Sequence, residues 1–256
     1  LFTKEIELAL LEADIDLAVH SLKDLPTTIT SGLCLGAALK REETEDVLIS
    51  KDNLKLEELP SGAKIGTSSL RRKAQLLFYR KDFKIVDIRG NIDTRLKKLE
   101  TQNLDGLIMA KAGVLRLGFS KLITQTISTD IILPAVGQGA LAVEIREGDG
   151  EIKKMTSFLN HSSTFTAVTC ERSFLRTLEG GCQVPIGALA QVQEDKISHE
   201  GMIASLDGKT LFREKISGKT EEAEKLGEAL AKRLLELGGK KILEDIRGKY
   251  QQGYYV

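Results

Sequence analysis

The stretch Ala63-Lys64-Ile65-Gly66-Thr67-Ser68-Ser69-Leu70-Arg71-Arg72 reads as a strand that turns straight into a helix. Residues 63–67 make a short apolar strand. Ser68 and Ser69 are hydroxyls of the kind that cap a helix N-terminus, and the helix they open runs to about Tyr79. The same unit recurs downstream. Ile85 to Ile88 is a strand, Arg89-Gly90-Asn91 a turn and Asp93 to Leu99 a helix; Leu104 to Ala110 is a strand with a short helix behind it. From about residue 47, strands thus alternate with helices, which predicts a parallel α/β sheet with right-handed crossovers.

Upstream, residues 15–20 and 33–39 are further apolar strands, and the charged residues 40–46 read as a connection. Residues 3–13 form an amphipathic helix with Ile6, Leu10 and Ala13 on one face. A chain that opens on Leu1 with a helix feeding a buried strand predicts an N-terminal truncation that removes a first strand. Towards the C-terminus, Pro134-Ala135-Val136-Gly137-Gln138-Gly139 is a glycine-rich crossing segment, followed by the apolar strand Ala140 to Ile145. A helix from about Thr164 to Leu178 turns Ala167, Cys170, Phe174 and Leu178 inward, which makes Cys170 a core residue. Residues 187–193, 196–205 and 210–217 read as three antiparallel strands, with Asp207-Gly208-Lys209 as a hairpin turn. Thr220 to Leu237 is an amphipathic helix with Leu226, Leu230, Leu234 and Leu237 inward, ended by Gly238-Gly239. The expected fold class is α/β with a small C-terminal α+β unit.

At 256 residues the chain is long enough for two or three domains. Lysine plus arginine equals aspartate plus glutamate at 37 each, so no charge excess points to a nucleic acid or an acidic membrane. No apolar run approaches bilayer length and no signal peptide is visible. Cys34, Cys170 and Cys182 are too scattered for a disulfide framework or a zinc site, and His20, His161 and His199 for a histidine metal cluster. No metal is expected, and the compartment is expected to be reducing and cytoplasmic. His20 reads as a packed, hydrogen-bonded histidine, His161 as a loop residue and His199 as a strand-surface residue.

Chemistry concentrates at strand ends, where parallel α/β sheets bind ligands. Lys23 and Asp24 follow the first strand; Thr67, Ser68 and Ser69 precede a helix N-terminus, which favours anions. Arg71 and Arg72 lie in that helix's first turn, where cations oppose the dipole at a cost of roughly 0.3–1 kcal/mol each unless an anion sits between them. Arg89 closes the next strand, Arg95 lies on the following helix, and Arg116 follows the third strand. Any one arginine is more often a surface ion pair; five at strand ends predict a ligand with several carboxylates or phosphates. Asp24 is then a carboxylate among cations, able to cap or pair with Lys23, to hold positive charge or to move a proton. A second feature is Leu178-Glu179-Gly180-Gly181-Cys182-Gln183-Val184-Pro185-Ile186. Its glycines remove bulk before the thiol and its proline stiffens the exit, so Cys182 stands on a tight turn open to a large partner.

Ala18-Val19-His20-Ser21-Leu22-Lys23-Asp24-Leu25-Pro26, Gly66-Thr67-Ser68-Ser69-Leu70-Arg71-Arg72, Arg89-Gly90-Asn91-Ile92-Asp93-Thr94-Arg95-Leu96, Pro134 to Ala140 and Glu179 to Pro185 stand in this order over nearly the whole chain. Together they resemble the porphobilinogen deaminase (hydroxymethylbilane synthase) family. The resemblance implies two lobes like those of periplasmic binding proteins, the first discontinuous (1–39 and 140–157) and the second at 45–133, with a C-terminal α+β domain of three antiparallel strands and helices at 162–256. It implies a monomer that joins four porphobilinogen molecules head to tail, releases ammonia each time and frees hydroxymethylbilane by hydrolysis. It implies a dipyrromethane cofactor held by a thioether to Cys182, with Asp24 catalytic. Ser21, Lys23, Asp24, Thr67, Ser69, Arg71, Arg72 and Arg95 are implied to contact the cofactor, and Arg89, Arg95, Arg116 and Gln138 the substrate. The family's opening Gly-Ser-Arg-x-Ser-x-Leu-Ala pattern is not matched here: either the first lobe lacks its opening strand, or those residues lie outside this numbering.

Two rival readings remain at this point. A non-catalytic, two-lobed polyanion-binding module explains the arginines but not the Gly-Gly-Cys turn. A cysteine hydrolase or redox enzyme needs a base or a second thiol near Cys182, and no C-x-x-C or evidently paired histidine exists. Cys182 also follows a helix C-terminus, whose partial negative charge raises a thiol pKa. It suits a permanent anchor better than a turnover nucleophile.

Overall fold

The computed structural model describes residues 2–179 and 184–251. The chain opens with α1 (Phe2–Leu11), β1 (Leu17–Ser21), β2 (Leu33–Ala38) and β3 (Asp46–Ser50). Then come β4 (Lys64–Gly66), α2 (Leu70–Tyr79), β5 (Lys84–Val86), α3 (Ile92–Thr101), β6 (Gly106–Ala110), α4 (Lys111–Arg116) and the short β7 (Gln125–Thr126). β8 (Leu141–Arg146), α5 (Gly150–Thr156) and α6 (Ser162–Thr177) lead to β9 (Ile186–Gln193), β10 (Lys196–Ala204) and β11 (Leu211–Lys219), and α7 (Ala223–Leu234) and α8 (Lys240–Gln251) finish the described chain.

These elements build three sheets, ordered β1-β8-β2, β5-β4-β6-β3-β7 and β11-β10-β9. The central sheet is parallel where the alternation is regular: β4 runs with both β5 and β6. It is not parallel throughout. β3 pairs antiparallel with β6 and β7, because β3 enters from the other lobe and returns to β4 without a crossover helix. The β1-β8-β2 sheet is antiparallel, so β8 returns to the first lobe between two strands from residues before 40. The third sheet is an antiparallel meander, as the hairpin signals implied.

Each layer has its own apolar core. Leu48, Leu56, Ile65, Leu76 and Ile108 fill the central lobe; Leu22, Leu25, Ala38, Ala142 and Val168 join the first lobe to α6. Phe174, Leu178, Ile186, Ile203, Leu230 and Leu234 pack α6 and α7 on the third sheet. Two chain segments cross between the lobes, and they touch. Glu42 N–H donates to the Gly139 carbonyl at 3.0 Å. Gly139 has φ +84°, and a Cβ there would stand 2.7 Å from the Glu42 carbonyl oxygen, so the crossing requires glycine for backbone angle and for space.

Four local expectations change. Asp46, read as part of a connection, is already the first residue of β3. Ala13 lies beyond α1 at φ 61° and is exposed. The last amphipathic helix stops at Leu234 and Leu237 is 48% exposed, because a π turn at Leu235–Gly239 breaks the periodicity. Gly238 (φ 121°) does not end the helical region, since α8 starts at Lys240.

Candidate functional site

A cleft of about 370 Å³ opens where the crossing segments, α2 and α6 meet. One wall is cationic: Lys23, Arg71, Arg72 and Arg95 line it with Asp24, Ser68, Ser69 and Gln138. The other is apolar, from Ala135, Val136, Leu175, Val184 and Ile186. The local sequence explains each placement. Leu22–Asp24 is a single 3-10 turn that buries Leu22 and leaves Asp24 exposed at the end of β1. Ser69 caps α2, its hydroxyl accepting from Arg72 N–H at 3.5 Å, which puts Arg71 and Arg72 in the first turn. Arg95, half-buried on α3, donates from Nε to the Gly90 carbonyl at 2.8 Å.

Sequence reasoning missed Asp46. Its carboxylate is fully buried and lies between the two adjacent arginines. Arg72 Nη2 donates to Oδ1 at 2.8 Å, and Gln138 Nε2 donates to the same oxygen at 2.9 Å. Arg71 Nη1 stands 2.9 Å from Oδ2, a charge contact whose angles fall short of a hydrogen bond. Burial alone would raise the Asp46 pKa; Arg71 and Arg72 overcome it and hold the carboxyl well below the usual range. The anion expected between these arginines is therefore supplied, in part, by the protein itself. An acidic residue opening the apolar run Val47-Leu48-Ile49 was the available signal. The cleft still carries more positive than negative charge: four cations against Asp24 at the wall and Asp46 behind it. Burial, then Arg72, pushes the Lys23 ammonium below its ordinary value. Burial and Arg72 do the same to Arg95.

The remaining expected residues divide. Ser21 and Arg116 line a smaller adjoining cavity of about 70 Å³, which shares Lys23 with the main cleft. Gln138 is buried and ties the crossing segment to β3 through Asp46 and the Thr44 carbonyl (2.6 Å). Thr67 is buried and accepts from Ser69 N–H at 3.3 Å, while Arg89 is exposed; neither lines these two cavities. Cys182 and its neighbours Gly180, Gly181 and Gln183 lie outside the described residues.

The histidines and Cys170 settle as structure. His20 is buried, its Nε2 3.1 Å from Glu144 Oε2. His161 caps α6, its Nδ1 accepting from Thr164 N–H at 3.3 Å. His199 is not a surface residue: it faces α6 from the central strand β10, 0% exposed, with Nδ1 3.2 Å from Cys170 Sγ. Burial pushes the Cys170 thiol up to about 12 and His199 down to about 4, so the pair is a neutral thiol and a neutral imidazole. Among the described residues no group of histidine, cysteine and carboxylate side chains could hold a metal ion, and no helix is long and apolar enough to cross a membrane.

The family model described as "Porphobilinogen deaminase, dipyromethane cofactor binding domain" matches residues 1–154, and the "Porphobilinogen deaminase, C-terminal domain" model matches residues 165–236. A porphobilinogen deaminase of Pelotomaculum thermopropionicum is 53% identical over 96% of this chain and 79% of its own length. One of Moorella thermoacetica is 50% identical over 98% of this chain and 81% of its own. Among solved structures, the ligand-binding component of an ABC-type import system from Staphylococcus aureus covers 69% of this chain and 61% of its own at 15% identity, with a TM-score of 0.37, too low to establish a common fold.

Proposed function

The chain belongs to the porphobilinogen deaminase family, and from that membership and the cleft we infer what it does: it joins four porphobilinogen molecules head to tail, releasing ammonia at each addition, and frees hydroxymethylbilane by hydrolysis. It is a transferase of tetrapyrrole (haem) biosynthesis that works with a dipyrromethane cofactor. The observation that carries this reading is the surplus of positive charge gathered in one cleft around Asp24. Each porphobilinogen brings two carboxylates, so a growing chain accumulates the negative charge that such a cleft binds. A non-catalytic polyanion-binding module is not favoured, since relatives at about half identity over nearly the whole chain carry the enzyme's name.

The residues fit the cofactor's chemistry. Arg71 and Arg72 line the cleft, and the Nε–H of each meets no acceptor among the described residues. Those two Nε–H groups are closed off from solvent; the fit lies in charge, since dipyrromethane carboxylates are the anions that cleft-lining guanidinium groups bind. When bound, the cofactor supplies a fixed pyrrole end to which the first substrate is joined. We assign its thioether to Cys182 on sequence context, and its side-chain contacts to Ser21, Lys23, Asp24, Thr67, Ser69, Arg71, Arg72 and Arg95. Arg89, Arg95, Arg116 and Gln138 are assigned to substrate. Asp24 holds the positive charge that develops on porphobilinogen as ammonia leaves, and it does so better than water because its carboxylate is already in place and need not reorient. Leu175, Val184 and Ile186 offer that wall to pyrrole rings and keep water from them.

The same proposal divides the chain into a discontinuous first lobe (1–39 and 140–157), a second lobe (45–133) and a C-terminal unit (162–256), a division that the three separate sheets support. It places a monomer in the cytoplasm, with no nucleic-acid or membrane partner. Intact mass tests it. The purified protein is expected to carry a dipyrromethane adduct, lost together with turnover in Cys182→Ser. Asp24→Asn is expected to keep the adduct and lose about a hundredfold or more in turnover, the scale of one preorganised electrostatic contact. An active protein of unmodified mass with a freely alkylated Cys182 overturns the anchor; normal turnover in Asp24→Asn overturns the role of Asp24.

A further inference from the structure

We infer that Asp46 is a positioning residue, whose buried carboxylate holds Arg71 and Arg72 side by side in the cleft wall so that both guanidinium groups meet ligand carboxylates together. The inference rests on the reading of those arginines as carboxylate binders. Two adjacent guanidinium groups repel each other, and both residues are buried, where repulsion is strong. Asp46 offsets one of the two charges and reaches both groups, one with each oxygen. Fixed carbonyls direct the same groups further: the Arg71 nitrogen that faces Asp46 is also held by a backbone oxygen, and Arg72 uses its other terminal nitrogen. Arg71 Nη1 donates to Leu133 O at 2.7 Å, and Arg72 Nη1 donates to Ile108 O at 3.1 Å. Arg72 is thus pinned at two points and Arg71 at three, since its Nη2 also donates to Gln138 Oε1 at 3.5 Å; the Nε–H of each is buried with no acceptor among the described residues.

The partners of Asp46 come from three parts of the fold. Asp46 starts β3, the arginines start α2, and Gln138 belongs to the segment that crosses back to the first lobe. The clamp therefore fixes the arginines relative to that crossing segment as well as relative to their own lobe. Without it, the pair keeps its charge and loses its orientation. Arginine contacts to carboxylates that do not react are made equally in the ground and transition states, so loss of orientation raises KM and changes kcat less.

The test uses Asp46→Asn, which keeps the volume, and Asp46→Gly, which leaves room for a small carboxylate. Both proteins are assayed for adduct by intact mass, for KM and kcat with porphobilinogen, and for melting temperature, in chloride or formate at equal ionic strength. Asp46→Asn is expected to raise KM about tenfold or to leave much of the protein without adduct, the scale of one charge-assisted hydrogen bond. Formate is expected to bring KM or adduct in Asp46→Gly back to within about threefold of the parent, by standing where the carboxylate stood. A folded Asp46→Asn protein with parental KM and full adduct overturns the inference. So does formate that restores melting temperature while leaving KM and adduct impaired, because Asp46 is then only structural. Should Asp46→Asn fail to fold, Asp46→Gly prepared in formate and diluted into chloride decides: KM must rise before the circular dichroism signal falls, and a constant KM overturns the inference. Arg71→Leu and Arg72→Leu separate the two levels. If both keep parental KM and adduct, the underlying reading of the arginines fails. If they lose binding while the Asp46 variants do not, only the role of Asp46 fails.

Discussion

Asp24 and Asp46 show how one residue type takes opposite tasks. Asp24 is exposed on a 3-10 turn at the cleft wall; Asp46 is fully buried, its Oδ1 accepting from Arg72 and Gln138 and its Oδ2 in charge contact with Arg71. The place of Asp24 at the cleft was legible because it follows a strand and neighbours Lys23. Asp46 was not, because its partners lie more than twenty residues away and charge alone does not name them. His199 was misread for a related reason, since alternation along β10 does not tell which face a helix will cover. Burial holds its pKa near 4 against an ordinary value of about 6.5. The unfolded chain therefore binds a proton that the folded protein refuses between those values. The resulting stability is complete above about pH 6.5 and declines as pH falls towards about 4, by about 3 kcal/mol at most. Urea midpoints measured across that range are expected to fall with pH, and His199→Gln is expected to lose that part of the slope. The same slope in both proteins contradicts the assignment.

At the scale of elements, the apolar periodicities located the strands and helices well, including the Ser69 cap of α2 and the β9-β10-β11 meander. They did not give the reversed direction of β3, which depends on where the chain enters the lobe. They also stopped one helix short, because Gly238-Gly239 reads as a terminator and here only redirects the chain into α8. The α6–α7 contact yields a prediction with a sign that propensity alone gets wrong. Gly227 lies inside α7, where Ala would ordinarily favour the helix by about 1 kcal/mol. A Cβ at that position, however, collides with the Cys170 carbonyl oxygen and stands 2.9 Å from Phe174 N, both backbone atoms of α6. Overpacking at about 1–3 kcal/mol outweighs the propensity. Gly227→Ala is expected to lower the urea midpoint, and a raised midpoint would mean that the helices can separate at little cost.

For the whole molecule, Glu171 is the junction. Its buried carboxylate accepts from Arg41 Nη1 at 2.6 Å and Nη2 at 3.0 Å, from Gly137 N–H at 2.7 Å and from Ala190 N–H at 2.8 Å. One side chain on α6 thereby joins both crossing segments and β9. Glu171→Ala would leave Arg41 and two backbone donors without their acceptor in a nearly dry site, at a cost of roughly 3–5 kcal/mol. Denaturant unfolding of the variant is expected to show that loss, and a loss under about 1 kcal/mol would show the junction to be dispensable. None of this was readable from the chain alone. Periodicity and capping act over one or two turns, so the sequence by itself determined the elements, their apolar faces and the ordered motifs that identify the family. Pairs such as Arg41–Glu171 and Arg72–Asp46 join residues far apart in the chain. Only the packing of the three sheets decided them, because a buried charge takes whichever partner the fold brings within reach.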